Sequence, residues 1–104
     1  MSRYITIVKG NLKNDNLKEN EKIHNMIFEP LKALGTSLGA IAHKAYINPL
    51  NEKEFVGIDT WATLEGAQQL FTNPQLANEF SKLFAAMPEI YFFKETEWAS
   101  FDNQ

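Results

Sequence analysis

In the stretch FVGIDTW an aspartate stands two residues before a tryptophan, Asp59 and Trp61. On an extended strand, residues two apart share a face. A carboxylate and an indole placed together can orient or deprotonate a phenol while the indole packs over its ring. The same pair has a plainer use, since a tryptophan at a strand end fills core and an aspartate caps a turn or pairs with Lys44 across a hairpin. An aspartate buried without a partner would be costly. The chain has two histidines, His24 and His43, the one side-chain type whose charge ordinarily changes near neutral pH. His43 follows Gly39 by four residues in a strand-like run and is the candidate general base with Asp59; the plainer alternative is a satisfied sheet histidine. His24 falls on the edge of a helical apolar stripe beside Phe28 and Leu31, the place of a boundary residue. Neither histidine has the acidic spacing of a metal motif, so no metal site is expected. Tyr4, Tyr46 and Tyr91 carry phenols able to donate to an anionic oxygen, and all three are also ordinary strand residues. Trp61, Tyr4 and Tyr46 are the candidate substrate-binding residues.

Four strand-like and two helical regions must position these side chains. RYITIVK alternates β-branched and aromatic residues and predicts a first strand. After the turn residues of GNLKNDN, Ile23, Ile27, Leu31 and Leu34 recur at helical spacing. Pro30 removes an amide donor within that helix, which predicts a kink or a second short helix. AIAHKAYIN and FVGIDTW predict the second and third strands, paired antiparallel through the loop NPLNEKE. Thr63 caps one helix, and Asn73 with Pro74 opens another. On this second helix Leu76, Phe80, Leu83 and Phe84 form a core stripe. EIYFFKETEWASF predicts the last strand, with Phe92 and Phe93 on opposite faces.

With 104 residues and no repeat or linker, residues 1–104 are expected to form a single domain. A net charge of −3 and scattered lysines argue against nucleic-acid partners. The absence of cysteine excludes disulfides, thiolate chemistry and Cys-based metal sites. No stretch is apolar for long enough to span a membrane, and none reads as a signal peptide, so a cytoplasmic protein without membrane partners is expected.

The order β-α-β-β-α-β predicts an α+β, ferredoxin-like domain: a four-stranded antiparallel sheet with helices on one face. The other face is expected to expose several of Tyr4, Phe55, Trp61, Phe92 and Trp98, a patch larger than monomers usually leave bare. A homodimer packed through the sheet faces would cover it.

Gly39 at the head of the second strand, Asp59 and Trp61 at the end of the third, Thr63 at the following helix, and the Asn73-Pro74 helix start together resemble the antibiotic biosynthesis monooxygenase superfamily of dimeric α/β barrels. The resemblance spans nearly the whole chain. It implies a barrel that holds a small aromatic or polyketide-like molecule. Members oxidise quinols or anthrone-like substrates without metal or flavin, degrade haem, isomerise or decarboxylate, so the fold alone does not select an activity. The haem-degrading branch pairs its tryptophan with a haem-ligating histidine and a first-strand asparagine. Trp61 matches the tryptophan, but the family spacing puts Phe80 at the histidine position and RYITIVK holds no asparagine, which argues against haem.

The resulting expectation is a cofactor-independent monooxygenase-like homodimer binding a small aromatic or quinol-type compound, with His43 or Asp59 as base. The alternatives are a non-catalytic ligand-binding or interaction barrel and an isomerase or lyase of the same fold. Strand alternation by itself leaves open which face of the sheet lines the interior.

Overall fold

The computed structural model describes residues 2–104. The strands are β1 (Tyr4–Asn11), β2 (Ala40–Asn48), β3 (Asn51–Trp61) and β4 (Glu89–Lys94), and the helices are α1 (Leu17–Ser37), α2 (Leu64–Phe71) and α3 (Pro74–Leu83). The strands form one antiparallel sheet in the order β2-β3-β1-β4. The three helices pack on one of its faces, giving the α+β, ferredoxin-like arrangement expected from the sequence. Each helix starts on a side-chain cap that satisfies an otherwise unpaired amide. Asn16 accepts from the Glu19 amide at 3.1 Å, Thr63 from the Gly66 amide at 3.1 Å and Asn73 from the Gln75 amide at 2.9 Å.

Strand alternation divides the sheet into two unlike sets. Thr6 and Val8 of β1 and Phe55, Asp59 and Trp61 of β3 point under the helices, where they join Ile27, Leu70, Leu76 and Leu83 in or beside the core. The residues between them, Ile5, Ile7, Val56 and Ile58, take the uncovered face. Register brings Tyr91 beside Ile7, Phe93 beside Ile5 and Tyr46 beside Val56 on that same face. Tyr4, Phe55, Trp61 and Phe92 therefore lie on the helix side, not on the bare side where the sequence placed them. Phe92 meets Phe71 of α2 edge to face, with ring centroids 5.9 Å apart. Alternation defines the two sets, but only the docking of the helices selects which set is covered.

Three local expectations also change. The first helix runs from Leu17 to Ser37 without a break at Pro30. Pro30 is exposed, and on the solvent side of a helix water can take the carbonyl that the missing donor frees. The β2–β3 hairpin is tighter than predicted, with only Pro49 and Leu50 between the strands. The last strand stops at Lys94, and the tail beyond it leaves Trp98 and Phe101 exposed. Gly39 has a φ of 101°, a left-handed conformation that side-chain-bearing residues rarely adopt, and this turns the chain from α1 into β2.

Candidate functional site

Asp59 lies on β3, the strand between β2 and β1, so it has a neighbour on each side: His43 across β2 and Thr6 across β1. All three side chains project beneath the helices. His43 donates from Nδ1 to Asp59 Oδ1 at 2.5 Å, and Thr6 donates from Oγ1 to Asp59 Oδ2 at 3.2 Å. Trp61 donates from Nε1 to Thr6 Oγ1 at 3.0 Å. A carboxylate only accepts hydrogen bonds and an indole only donates them, so both ends of this segment are assigned. Its interior end is sealed: Thr6 is 0% and Trp61 1% exposed. Toward solvent the His43 and Asp59 side chains are 27% and 15% exposed.

The chain of contacts continues past His43. His43 Nε2 lies 3.2 Å from His24 Nε2, and His24 Nδ1 lies 2.9 Å from Asn25 Oδ1 of the side-chain amide. The His24 ring stacks on Phe28, one turn further along α1, with centroids 5.7 Å apart. Six side chains thus form one hydrogen-bonded line from the buried indole to the surface amide. No buried side-chain polar atom among the described residues lacks a partner.

A cavity of about 340 Å³ opens against this line between the sheet and the helices. His43 and Asp59 contribute polar groups from the sheet, His24, Lys32 and Thr36 from the α1 side, and Trp61, Phe28, Phe55 and Phe80 contribute aromatic wall. Small-molecule sites are apolar pockets of roughly 300–1,000 Å³ with a few placed polar groups. Gly57 keeps the floor open: a Cβ there would stand 3.2 Å from the Phe55 ring and 3.7 Å from His43 Cε1. Among the described residues no three His, Cys, Asp or Glu side chains gather as a metal site.

The sequence-derived candidates are distributed unevenly around this cavity. His43, Asp59 and Trp61 are brought together on its wall. Tyr4 packs partly buried against the core without lining the cavity, and Tyr46 stands half exposed on the opposite face. Tyr91 also lies on that face, where its hydroxyl donates to Glu89 at 2.6 Å and this bond holds the phenol pKa above its ordinary value. Thr6 and His24 are the site residues that sequence reading passed over. Thr6 shares its strand face with Val8, but only the pairing of β1 with β3 sets it against Asp59. His24 was read as a boundary residue of its helix; its meeting with His43 depends on how α1 lies across β2.

No family model matches the sequence, and no curated protein matches it. Solved structures share the fold. The cofactor-independent oxygenase SnoaB from Streptomyces nogalater aligns over 96% of this chain and 97% of its own, with a TM-score of 0.65 and 12% identity. A protein assigned as an antibiotic biosynthesis monooxygenase from Bordetella bronchiseptica aligns over 92% and 99%, with a TM-score of 0.71 and 9% identity. Another so assigned, from Nitrosomonas europaea, aligns over 94% of both chains at 0.69 and 14%. The chain therefore has the antibiotic biosynthesis monooxygenase-like fold. At these identities the likeness is one of fold alone.

Proposed function

We propose that this protein is a homodimeric α/β barrel that takes a small aromatic hydroxyl compound, of quinol or anthrone type, into the cavity beside His43 and oxidises it with O2 without a cofactor. The observation that carries this reading is the His43–Asp59 pair on the wall of a largely apolar cavity of about 340 Å³. Such a substrate reduces O2 once it is deprotonated, so the protein must supply a base and a dry pocket. Asp59 holds Nδ1–H of His43, which leaves Nε2 as the basic nitrogen; Asp59 orients the ring and balances the imidazolium that forms, the role of the third member in nucleophile–base–carboxylate arrangements. Trp61 and the phenylalanines exclude water and pack the aromatic rings. Tyr4 and Tyr46 have no part in this reading.

A dimer packed through the uncovered sheet face completes the proposal. That face carries Ile5, Ile7, Val56, Ile58, Tyr46, Tyr91 and Phe93, with Tyr46 and Phe93 about half exposed in the single chain. Apolar patches of this kind mark interaction surfaces. Light scattering coupled to size-exclusion chromatography checks it, and a monomer at micromolar concentration would overturn the barrel.

Oxygen consumption with a panel of quinols and anthrones tests the activity. Loss of the base is expected to lower turnover by about 10²–10⁴-fold, the usual worth of a positioned base, so His43→Phe and Asp59→Asn should be impaired without loss of fold. Equal rates in wild type and both variants would defeat the reading. Repeating the assay without oxygen separates it from isomerisation or lyase chemistry in the same cavity, because only the oxygenase stops.

A further inference from the structure

His43 has both ring nitrogens in use. Nδ1 faces a carboxylate, which cannot donate, so Nδ1 carries a hydrogen and in the neutral ring Nε2 carries the lone pair. The atom that meets this lone pair is His24 Nε2, 3.2 Å away. The contact is a hydrogen bond by geometry: the two rings are inclined by 19°, and their centroids, 5.4 Å apart, exceed the nitrogen separation by 2.2 Å, the two ring radii. The rings therefore meet head to head along the N–H···N line. Two histidines chelating a metal ion would instead converge on a point beside that line.

The nitrogen that the proposed reaction needs is thus already taken by a residue of the same chain. Its occupant is held less firmly than Asp59. His24 is half-buried on α1, stacked on Phe28 and tilted against Phe55; its Nδ1 lies 2.9 Å from Oδ1 of the exposed Asn25, so a neutral His24 that donates from Nε2 has the Asn25 amide turned to offer its NH2 group to Nδ1. Asp59, by contrast, is fixed from two strands.

We propose that His24 is an internal stand-in for the ligand: its Nε2–H occupies His43 Nε2 in the empty protein, and a ligand hydroxyl displaces it when the cavity fills. The inference rests on the assignment of His43 as the ligand-facing base and extends it to ligand choice. A phenol or enol replaces the bond it breaks, donating O–H to the same nitrogen. A quinone or an aryl ether of equal size has no hydrogen to give, so it leaves His24 in place or leaves a lone pair unmatched in an apolar pocket, a penalty that makes hydrogen-bonding sites reject analogues lacking the donor. His24 therefore selects for hydroxyl-bearing aromatics, and the exchange couples occupancy of the cavity to release of one α1 side chain.

The experiment uses 2-naphthol, a phenol that fits the cavity and resists oxidation, with 2-methoxynaphthalene as the matched ether. In protein labelled with ¹⁵N at histidine, a scalar coupling across the His24–His43 hydrogen bond is expected in the empty protein. It should vanish on saturation with 2-naphthol and persist with the ether. Removing the stand-in should tighten 2-naphthol binding in His24→Ala, and in His24→Phe, which keeps the stack on Phe28. The gain equals the reciprocal of the fraction of protein with Nε2 free, and ether binding should not change in parallel. A coupling that survives bound 2-naphthol, weaker 2-naphthol binding in both variants, equal affinity of wild type for naphthol and ether, or no binding of naphthol up to its solubility would each overturn the proposal. Because naphthol is not turned over, displacement of His24 in a protein that consumes no oxygen with any quinol would defeat the oxygenase reading and leave this one standing.

Discussion

On β1, Thr6 and Val8 lie sealed beneath the helices, while Ile5 and Ile7, one residue away, lie on a face that no helix covers. The two faces of the sheet invert the usual distribution. The covered face contains a polar line, Trp61–Thr6–Asp59–His43–His24, and the uncovered one sets Ile5, Ile7, Val56, Ile58, Tyr91 and Phe93 beside Lys9, Lys44 and Glu89. A carboxylate under helices is tolerable because two strands satisfy it; without Thr6 and His43 it would carry a desolvation cost of several kcal/mol. An apolar sheet face in water has no such local remedy, and patches of this kind mark interaction surfaces. The covered face is thus completed within the chain apart from its cavity, whereas nothing within the chain completes the uncovered face.

Substitutions on the two faces should consequently fail in different ways. Trp61→Ala removes the largest sealed side chain and its bond to Thr6, and should cost about 3–5 kcal/mol in chemical denaturation; a loss below 1 kcal/mol would mean that the covered face is loosely packed. Thr6→Val keeps the shape but leaves the Trp61 N–H and one Asp59 oxygen without a partner, at about 1–3 kcal/mol. A Thr6→Ser protein, which keeps the hydroxyl, should recover most of that. On the uncovered face, Ile58→Lys should barely move the unfolding midpoint of the single chain yet weaken self-association at least about tenfold, roughly 1.4 kcal/mol, measured by analytical ultracentrifugation. Unaltered association would separate the apolar face from the dimer.

The smallest effect concerns Tyr91. Its bond to Glu89 raises the phenol pKa, so any stability from that bond is present below the ordinary tyrosine range and is lost as pH rises through the raised value. Glu89→Gln should return Tyr91 toward the ordinary value in an ultraviolet titration. Because the bond lies at the surface of the single chain, the thermal midpoint at neutral pH should not move measurably.

Much of the candidate site was readable in one dimension. Asp59 and Trp61 are two residues apart on a strand, and their common face follows from the pleat alone. The helix starts at Thr63 and Asn73-Pro74 follow from capping chemistry. Pro30 starts no second helix, because a proline's effect depends on whether solvent reaches the carbonyl it frees. Tyr4 and Phe92 were put on the wrong side of the sheet because alternation has two equivalent phases until helices dock on one. Lys44 was a plausible partner for Asp59 until register set it opposite Ile58 and put His43 in its place.

The sequence by itself determined the order of elements, the caps, and the residues that share each strand face, since these rest on interactions spanning a few positions. The tertiary structure alone decided three things: that the set containing Thr6, Asp59 and Trp61 is the covered one, that β1 and β2 flank β3 so that Thr6 and His43 reach one carboxylate, and that α1 lays His24 against His43. Each brings together groups between 16 and 55 residues apart. Contacts at such separations depend on register and helix docking, which are settled by the packing of the whole core rather than by any local pattern.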